Sequence, residues 1–299
     1  MPKTTHFGKN FSFCHTGCEP EPLFDGRKKK HTTSKPIVMV SIQPIKYFVE
    51  QIADTLVDVR VMVPPGSSPE MFEPTPGQMV DLSNADIYFA IGLLDFEKGL
   101  EPKLKDQLKV RYVNLSGKAD LIKEGTEEHD SAGGHHHGVD PHIWMSVEEV
   151  RKMSMQILQN LQQLYPAHND FFSNNYIAFG SKLDSLKEQV NRILGKSSNR
   201  AFLVYHPALG YYAREFGLRQ ISIEQEGKNP SLKGVVDVVD QARRLGVSAV
   251  LSQSQFDIRN AQVIADELNL RVVKVDPLAE DWENSMLHIA RAISGEHDE

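Results

Sequence analysis

Short apolar runs alternate with amphipathic stretches along most of this chain, beginning near Pro36. IVMVSI (37–42) precedes IKYFVEQIADTL, VDVRVMV (57–63) precedes a Pro-rich loop, and DIYFAIG (86–92) precedes a Glu/Lys-rich helical stretch. A second series runs from AFLVYH (201–206) through ALGYYAREFG, LRQISI, SLKGVVDVVDQARRLG, SAVLS, IRNAQVIADELN and RVVKV to WENSMLHIARAI. Brief apolar strands separated by helices predict parallel sheet covered on its faces. The expected fold class is therefore α/β in two lobes, each with a mainly parallel sheet flanked by helices.

Between the two series, SVEEVRKMSMQILQNLQQLY and AHNDFFSNNYIAFGSKLDSLKEQVNRILG carry a long helical period and are separated by Pro166, which interrupts helix. The second is expected to span and join the halves. The resulting division is a leader over 1–35, an N-terminal lobe over 36–166, a linking helix over 167–196 and a C-terminal lobe over 197–299. Residues 1–35 mix Gly, Lys, Thr, Pro and His without periodicity, as a flexible leader does.

At 299 residues and 40% hydrophobic content the chain can bury a substantial core. A net charge of -7, with the single basic run Arg27–Lys30 in the leader, argues against a nucleic-acid partner. Cys14 and Cys18 are the only cysteines, so the body after the leader needs no disulfide. No stretch approaches the roughly 20 apolar residues of a membrane span, and no apolar run precedes the cysteines. His15-Thr16-Gly17-Cys18 followed by Glu19-Pro20-Glu21-Pro22 nevertheless looks like the tail of a bacterial lipoprotein signal, which makes Cys18 the expected lipid anchor.

Candidate chemistry concentrates in metal-ligand residue types. Glu70, His142, His206 and Asp276 each follow a predicted strand or buried loop, at near-even intervals and two in each half. In open α/β sheets ligands bind beyond the carboxyl ends of strands, which places the meeting point of these four in the cleft between halves. Two imidazoles and two carboxylates suit a divalent transition metal. Singly, each has a structural reading: Asp276 before Pro277 as a turn or cap, His206 before Pro207 as a partner for a backbone carbonyl. The segment EGTEEHDSAGGHHHG (124–138) adds His129, His135, His136 and His137 in a loop that cannot build a core, and these are expected to capture zinc loosely and pass it on. Glu224, Glu226 and Lys228 before Pro230-Ser231 read as a polar loop and helix cap, and Trp144, Tyr211 and Tyr212 as packing around the cleft.

The segments PPGSSPEMFEPTPGQMVDLSNADIYFAIG, VDPHIWMSVEEV, LVYHPALGYYAREFGL and VVKVDPL, in this order, resemble those of the zinc/manganese class of ABC-transporter solute-binding proteins, from about Pro36 to the C-terminus. The resemblance implies a periplasmic or lipid-anchored receptor, two α/β lobes joined by a rigid helix, and a metal held between them. A His-rich loop ahead of DPH is similar to that of the zinc-specific branch. His142, His206 and Asp276 carry over directly. Where the family usually has His in Pro-His-x-x-Glu-Pro, this chain has Pro69-Glu70-Met71-Phe72-Glu73-Pro74, so Glu70 carries over as a substituted ligand; otherwise water or a loop histidine fills its place.

The function expected is capture of Zn(II) outside the cytoplasm and delivery to an ABC permease with its ATP-binding subunit, by a monomer that is not an enzyme. A Mn(II) or Fe(II) receptor of the same class is the alternative, since two oxygens make a harder donor set. From a different class, a zinc metallohydrolase would use Glu70 or Glu73 as general base on a metal-bound water, but no HExxH or other paired motif is present.

Overall fold

In the computed structural model, which describes residues 35–107, 110–123, 138–224 and 230–296, each half of the chain builds a four-stranded, wholly parallel sheet. The first contains β1 (Ile37–Val40), β2 (Asp58–Val61), β3 (Ile87–Ala90) and β4 (Arg111–Asn114) in the order β2-β1-β3-β4. The second contains β5 (Ala201–Val204), β6 (Arg219–Ser222), β7 (Val250–Gln253) and β8 (Val272–Val275) in the order β6-β5-β7-β8. The order repeats from one sheet to the other, and each reverses direction of strand addition beside its first strand, the kind of switch point where α/β sheets open a crevice. The expected fold class is borne out.

Strands β1, β3, β5 and β7 are almost wholly buried, the first three as continuous apolar runs of the kind a two-sided parallel sheet requires, and β7 with Ser252 and Gln253 buried at its end. Strand β4, Arg-Tyr-Val-Asn, was not among the expected strands: it is a half-buried edge strand, paired only with β3, and its mixed residues carry no apolar run.

The helices among the described residues are α1 (Gln43–Ala53), α2 (Pro76–Ser83), α3 (Asp95–Gln107), α4 (Val147–Leu164), α5 (Asn169–Gly195), α6 (Gly210–Phe216), α7 (Leu232–Leu245), α8 (Ile258–Leu268) and α9 (Trp282–Ser294). Pro166 opens a short 3-10 turn that separates α4 from α5. Helix α5 has 27 residues, roughly 40 Å at 1.5 Å per residue. It buries Phe172, Phe179, Leu183, Leu186, Val190 and Leu194, and packs on α1 and α4 from the first half and α9 from the second. One continuous apolar core accordingly runs from Val38 and Phe48 through Phe179 to Trp282 and Ile293.

Two tryptophans tie the halves beside this core. Trp144 donates its indole N–H to the carbonyl of Pro277 at 2.9 Å, and Trp282 donates to the carbonyl of Trp144 at 2.9 Å, both rings being buried. No helix among the described residues is long and apolar enough to cross a membrane. The leader with Cys14 and Cys18, and the histidines His129, His135, His136 and His137, lie outside the described residues, as do Glu226 and Lys228.

Candidate metal centre

Each half contributes a histidine whose ring is fixed by a carboxylate. In the first, Asp140-Pro141-His142 forms a tight Asx turn: Asp140 Oδ1 accepts the backbone N–H of His142 at 2.9 Å. The same oxygen lies 2.8 Å from His142 Nδ1, so Nδ1 carries the proton and Nε2 is free to face the cleft. In the second half, the β5–β6 register pairs Val204 with Ser222. Two residues further along each strand direction stand His206 and Glu224, and Glu224 Oε2 lies 2.8 Å from His206 Nδ1. Both histidines and both carboxylates are buried.

Glu70, from the Pro-rich loop after β2, reaches both imidazoles with one oxygen. Its Oε1 lies 3.2 Å from His206 Nε2 and 3.6 Å from His142 Nε2. One ligand atom from each of the three residues falls within 4.8 Å of the others. A tetrahedral ion with ligands at about 2.0–2.1 Å separates its donor atoms by about 3.3–3.4 Å. The Glu70 distances bracket that edge, so an ion fits among these atoms with small adjustments. Trp144, Phe256, Pro277, Leu278, Gln253 and Gln255 give the wall apolar and amide surface, and Ser68 adds a hydroxyl-bearing residue. Phe256 stacks on His206 with ring centres 4.8 Å apart. The space these wall residues line is about 20 Å³, enough for about one water-sized sphere.

The electrostatics follow from this crowding of acid and imidazole. Burial opposes a charge on His206, but the hydrogen bonds its ring donates to Glu224 and Glu70 outweigh it and hold the imidazole up at about 9. Burial likewise pushes Glu70 toward the neutral acid, and the contact with His206 and the charge of His142 overcome it, leaving the carboxyl below its ordinary range. The pair Glu70–His206 is thus ionised at neutral pH, with a proton standing where a cation would bind.

Asp276, the fourth expected residue, lies outside the group of three. It sits past the end of β8 in an Asp-Pro turn like that of Asp140, with Oδ1 accepting from the Leu278 N–H at 3.0 Å and from Gln255 Nε2 at 2.9 Å. Its carboxylate lines an adjacent cavity with Gln43, Pro64, Pro65 and Glu280. Gln255 and Leu278 form the partition, since they line both spaces.

Two residues of the site went unread in the sequence. Asp140 stands in the DPH tag itself, and its Asx spacing to His142 was the available signal. Glu224, a polar-loop residue by sequence, is the buried partner of His206, discoverable only by pairing LRQISI with AFLVY in parallel register. Ser231 does cap α7, accepting from the Gly234 N–H. Tyr211 and Tyr212 are fully buried and donate to backbone carbonyls of Asp140 and Met286.

Comparison with known proteins gives the geometry a context. The family model described as zinc-uptake complex component A, periplasmic (ZnuA), matches residues 38–295. A "putative metal-binding protein" of Chlamydia muridarum is 28% identical over 258 residues, 86% of this chain and 90% of its own. The zinc-binding lipoprotein AdcA of Streptococcus pneumoniae strain R6 is 26% identical over 84% of this chain, which spans 51% of that longer protein. A crystal structure of ZnuA superposes with a TM-score of 0.81 at 32% identity, covering 88% of this chain and 99% of that one.

Proposed function

We propose a function from the premise that this chain belongs to the family of periplasmic zinc-uptake A components: it binds Zn(II) outside the cytoplasm as the receptor of an ABC zinc-uptake system and hands the ion to the membrane permease, whose ATP-binding subunit drives uptake. The observation that carries the reading is the convergence of Glu70, His142 and His206 donor atoms from both halves within 4.8 Å. Here zinc is cargo, held by side chains that bind and release it, and no bond-breaking step is needed.

The roles divide by chemistry. His142 and His206 offer Nε2, with Asp140 and Glu224 fixing each ring. Glu70 supplies a charged oxygen where the family usually has an imidazole. Asp276 is the proposed fourth ligand, reached when Gln255 releases Oδ1 and the side chain turns toward the partition; water holds the position until then. A space for about one water-sized sphere requires the ion to shed most of its hydration shell, which the carboxylate charge offsets. Release to the permease requires only that the halves shift enough to spoil distances set by residues of both.

Further features of the reading rest on sequence and relatives. His129, His135, His136 and His137 gather zinc loosely, in a loop whose ends meet at the Lys123–Val139 pairing, one residue before Asp140. A monomer anchored by lipid on Cys18 is the proposed form, in keeping with the relative named a lipoprotein.

The test is competitive titration of chelator-stripped protein with Zn(II), Mn(II) and Fe(II). One tight zinc equivalent that resists both competitors supports the reading. Preference for manganese or iron moves the protein to another metal, and no tight equivalent of any of them overturns the receptor function.

A further inference from the structure

Helix α6 of the second half follows His206 by four residues, and it reaches across to the first half at the acid that orients the other histidine. A Cβ added at Gly210 would stand 2.6 Å from Asp140 Oδ2 and 3.7 Å from Ile122 Cδ1. That is closer than a carbon and a carboxylate oxygen approach, so only a residue without a side chain lets Asp140 lie where it does. The next residue closes the contact. Tyr211 donates its hydroxyl to the carbonyl of Asp140 at 2.9 Å and accepts the N–H of Ile122 at 3.1 Å. Asp140 in turn donates its own N–H to the Ile122 carbonyl at 3.0 Å. Arg214, one helical turn on, covers the Tyr211 ring at 4.9 Å, donates to the carbonyl of Asp120 and meets buried Glu149.

We infer that Gly210 and Tyr211 are positioning residues for His142, acting through Asp140, so that one segment of the second half, 206–211, both supplies a ligand and sets the ring of the ligand opposite. Gly210 leaves the space in which Asp140 Oδ2 rests, Tyr211 pins the Asp140 backbone, and Asp140 Oδ1 thereby meets His142 Nδ1 at 2.8 Å. The two imidazoles, 5.3 Å apart between ring centres, are held as a unit by this strap. A displacement of α6 against the first half would then disturb both nitrogens together. The inference deepens the proposed zinc receptor and rests on it for the metal readout.

The experiment is a double-mutant cycle on Zn(II) affinity with Gly210→Ala, Asp140→Ala and the pair, together with nitrogen NMR of His142 in the metal-free proteins. Outer partners of a metal-bound histidine typically carry 10–100-fold in affinity. Gly210→Ala is expected to weaken zinc about 10-fold or more alone, and by less than about 2-fold when Asp140 is already Ala, because the two act on one contact. In the metal-free spectrum Gly210→Ala shifts His142 away from the Nδ1–H tautomer. Tyr211→Phe, which changes no volume beyond one hydroxyl, produces the same tautomer shift in smaller measure and serves if the glycine variant does not fold. A merely structural role for Gly210 predicts a changed melting temperature with zinc affinity and tautomer unmoved, and that outcome overturns the inference, as does equal loss in both backgrounds. Should the unaltered protein bind no zinc, the receptor reading fails while the tautomer shift still decides the strap.

Discussion

Glu224 Oε2 lies 2.8 Å from Nδ1 of His206, and both groups are buried. The contact fixes the tautomer, so that the nitrogen left facing the cleft is Nε2, and it supplies a negative charge directly behind the ring proposed to bind metal. Glu224→Gln keeps the size of the side chain and an oxygen to accept from Nδ1, yet removes the charge. Zinc affinity should drop by about 10–100-fold, the usual cost of altering such a partner, while the fold persists. Calorimetric titration reads this directly; an affinity unchanged by the amide would mean that hydrogen-bond geometry alone suffices and the charge behind the ring is idle.

The elevated imidazole has a consequence for pH. His206 in the fold holds its proton up to about 9, against about 6.5 for an unperturbed histidine. Raised above its unfolded value, the group contributes stability that is fully present below about 6.5 and is lost as pH climbs through about 9. The metal-free protein should therefore lose melting temperature over that interval. Zinc needs the neutral ring, so binding at pH 7.5 should expel about one proton, and apparent affinity should rise by up to about tenfold per pH unit until about 9. The two carboxylates around His206 place that window above the ordinary histidine range. Titration in buffers of differing ionisation enthalpy counts the proton, and a count near zero at pH 7.5 would show His206 neutral before zinc arrives.

How far the residues announce this arrangement depends on the kind of information each carries. Strands β1, β3 and β5 are uninterrupted runs of apolar and aromatic residues, so their burial was legible, and Pro166 marked the break between α4 and α5. Strand β4 was not, because an edge strand of Arg, Tyr, Val and Asn owes its pairing to a neighbour, not to its own hydrophobicity. His142 and His206 stand out by type and place. Glu224 does not, since its meaning comes from register across two strands, and Asp276 shares the ligand chemistry but spends Oδ1 on Gln255 and its own turn.

Glu70 is the proposed ligand that distinguishes this site from a three-imidazole one. It stands on a Pro-rich loop with 34% of its side chain exposed, while the histidines are buried. Glu70→Ala should weaken zinc by at least about 10-fold, since two imidazoles remain as firm donors. Glu70→His restores a third nitrogen at the same position and should retain tight zinc while worsening manganese, a harder ion that favours oxygen. Competition of the two metals on each variant gives the ratio. If Glu70→Ala matches the unaltered protein, the carboxylate is a bystander and the pair of histidines must find its other donors elsewhere.

The tryptophan clasp offers a separate probe of how the halves are joined. Trp282 donates to the carbonyl of Trp144, and Trp144 donates to the carbonyl of Pro277, next to Asp276. Trp282→Phe removes the indole N–H and leaves the buried Trp144 carbonyl without this donor, at about 1–3 kcal/mol, with further loss from the smaller ring. For a body of this size each kcal/mol lowers the melting temperature by about 2–4 °C, so a fall of roughly 2–12 °C is expected in thermal denaturation. Trp144 also lies 5.1 Å from the His142 ring, ring centre to ring centre, and its fluorescence should change on zinc binding in both proteins. Because the clasp joins the first half to the strand end that bears Asp276, loosening it should accelerate zinc loss to a chelator more than it slows capture. An unaltered dissociation rate alongside a lowered melting temperature would assign the clasp to stability alone and leave the hold on the ion to the ligands and their carboxylate partners.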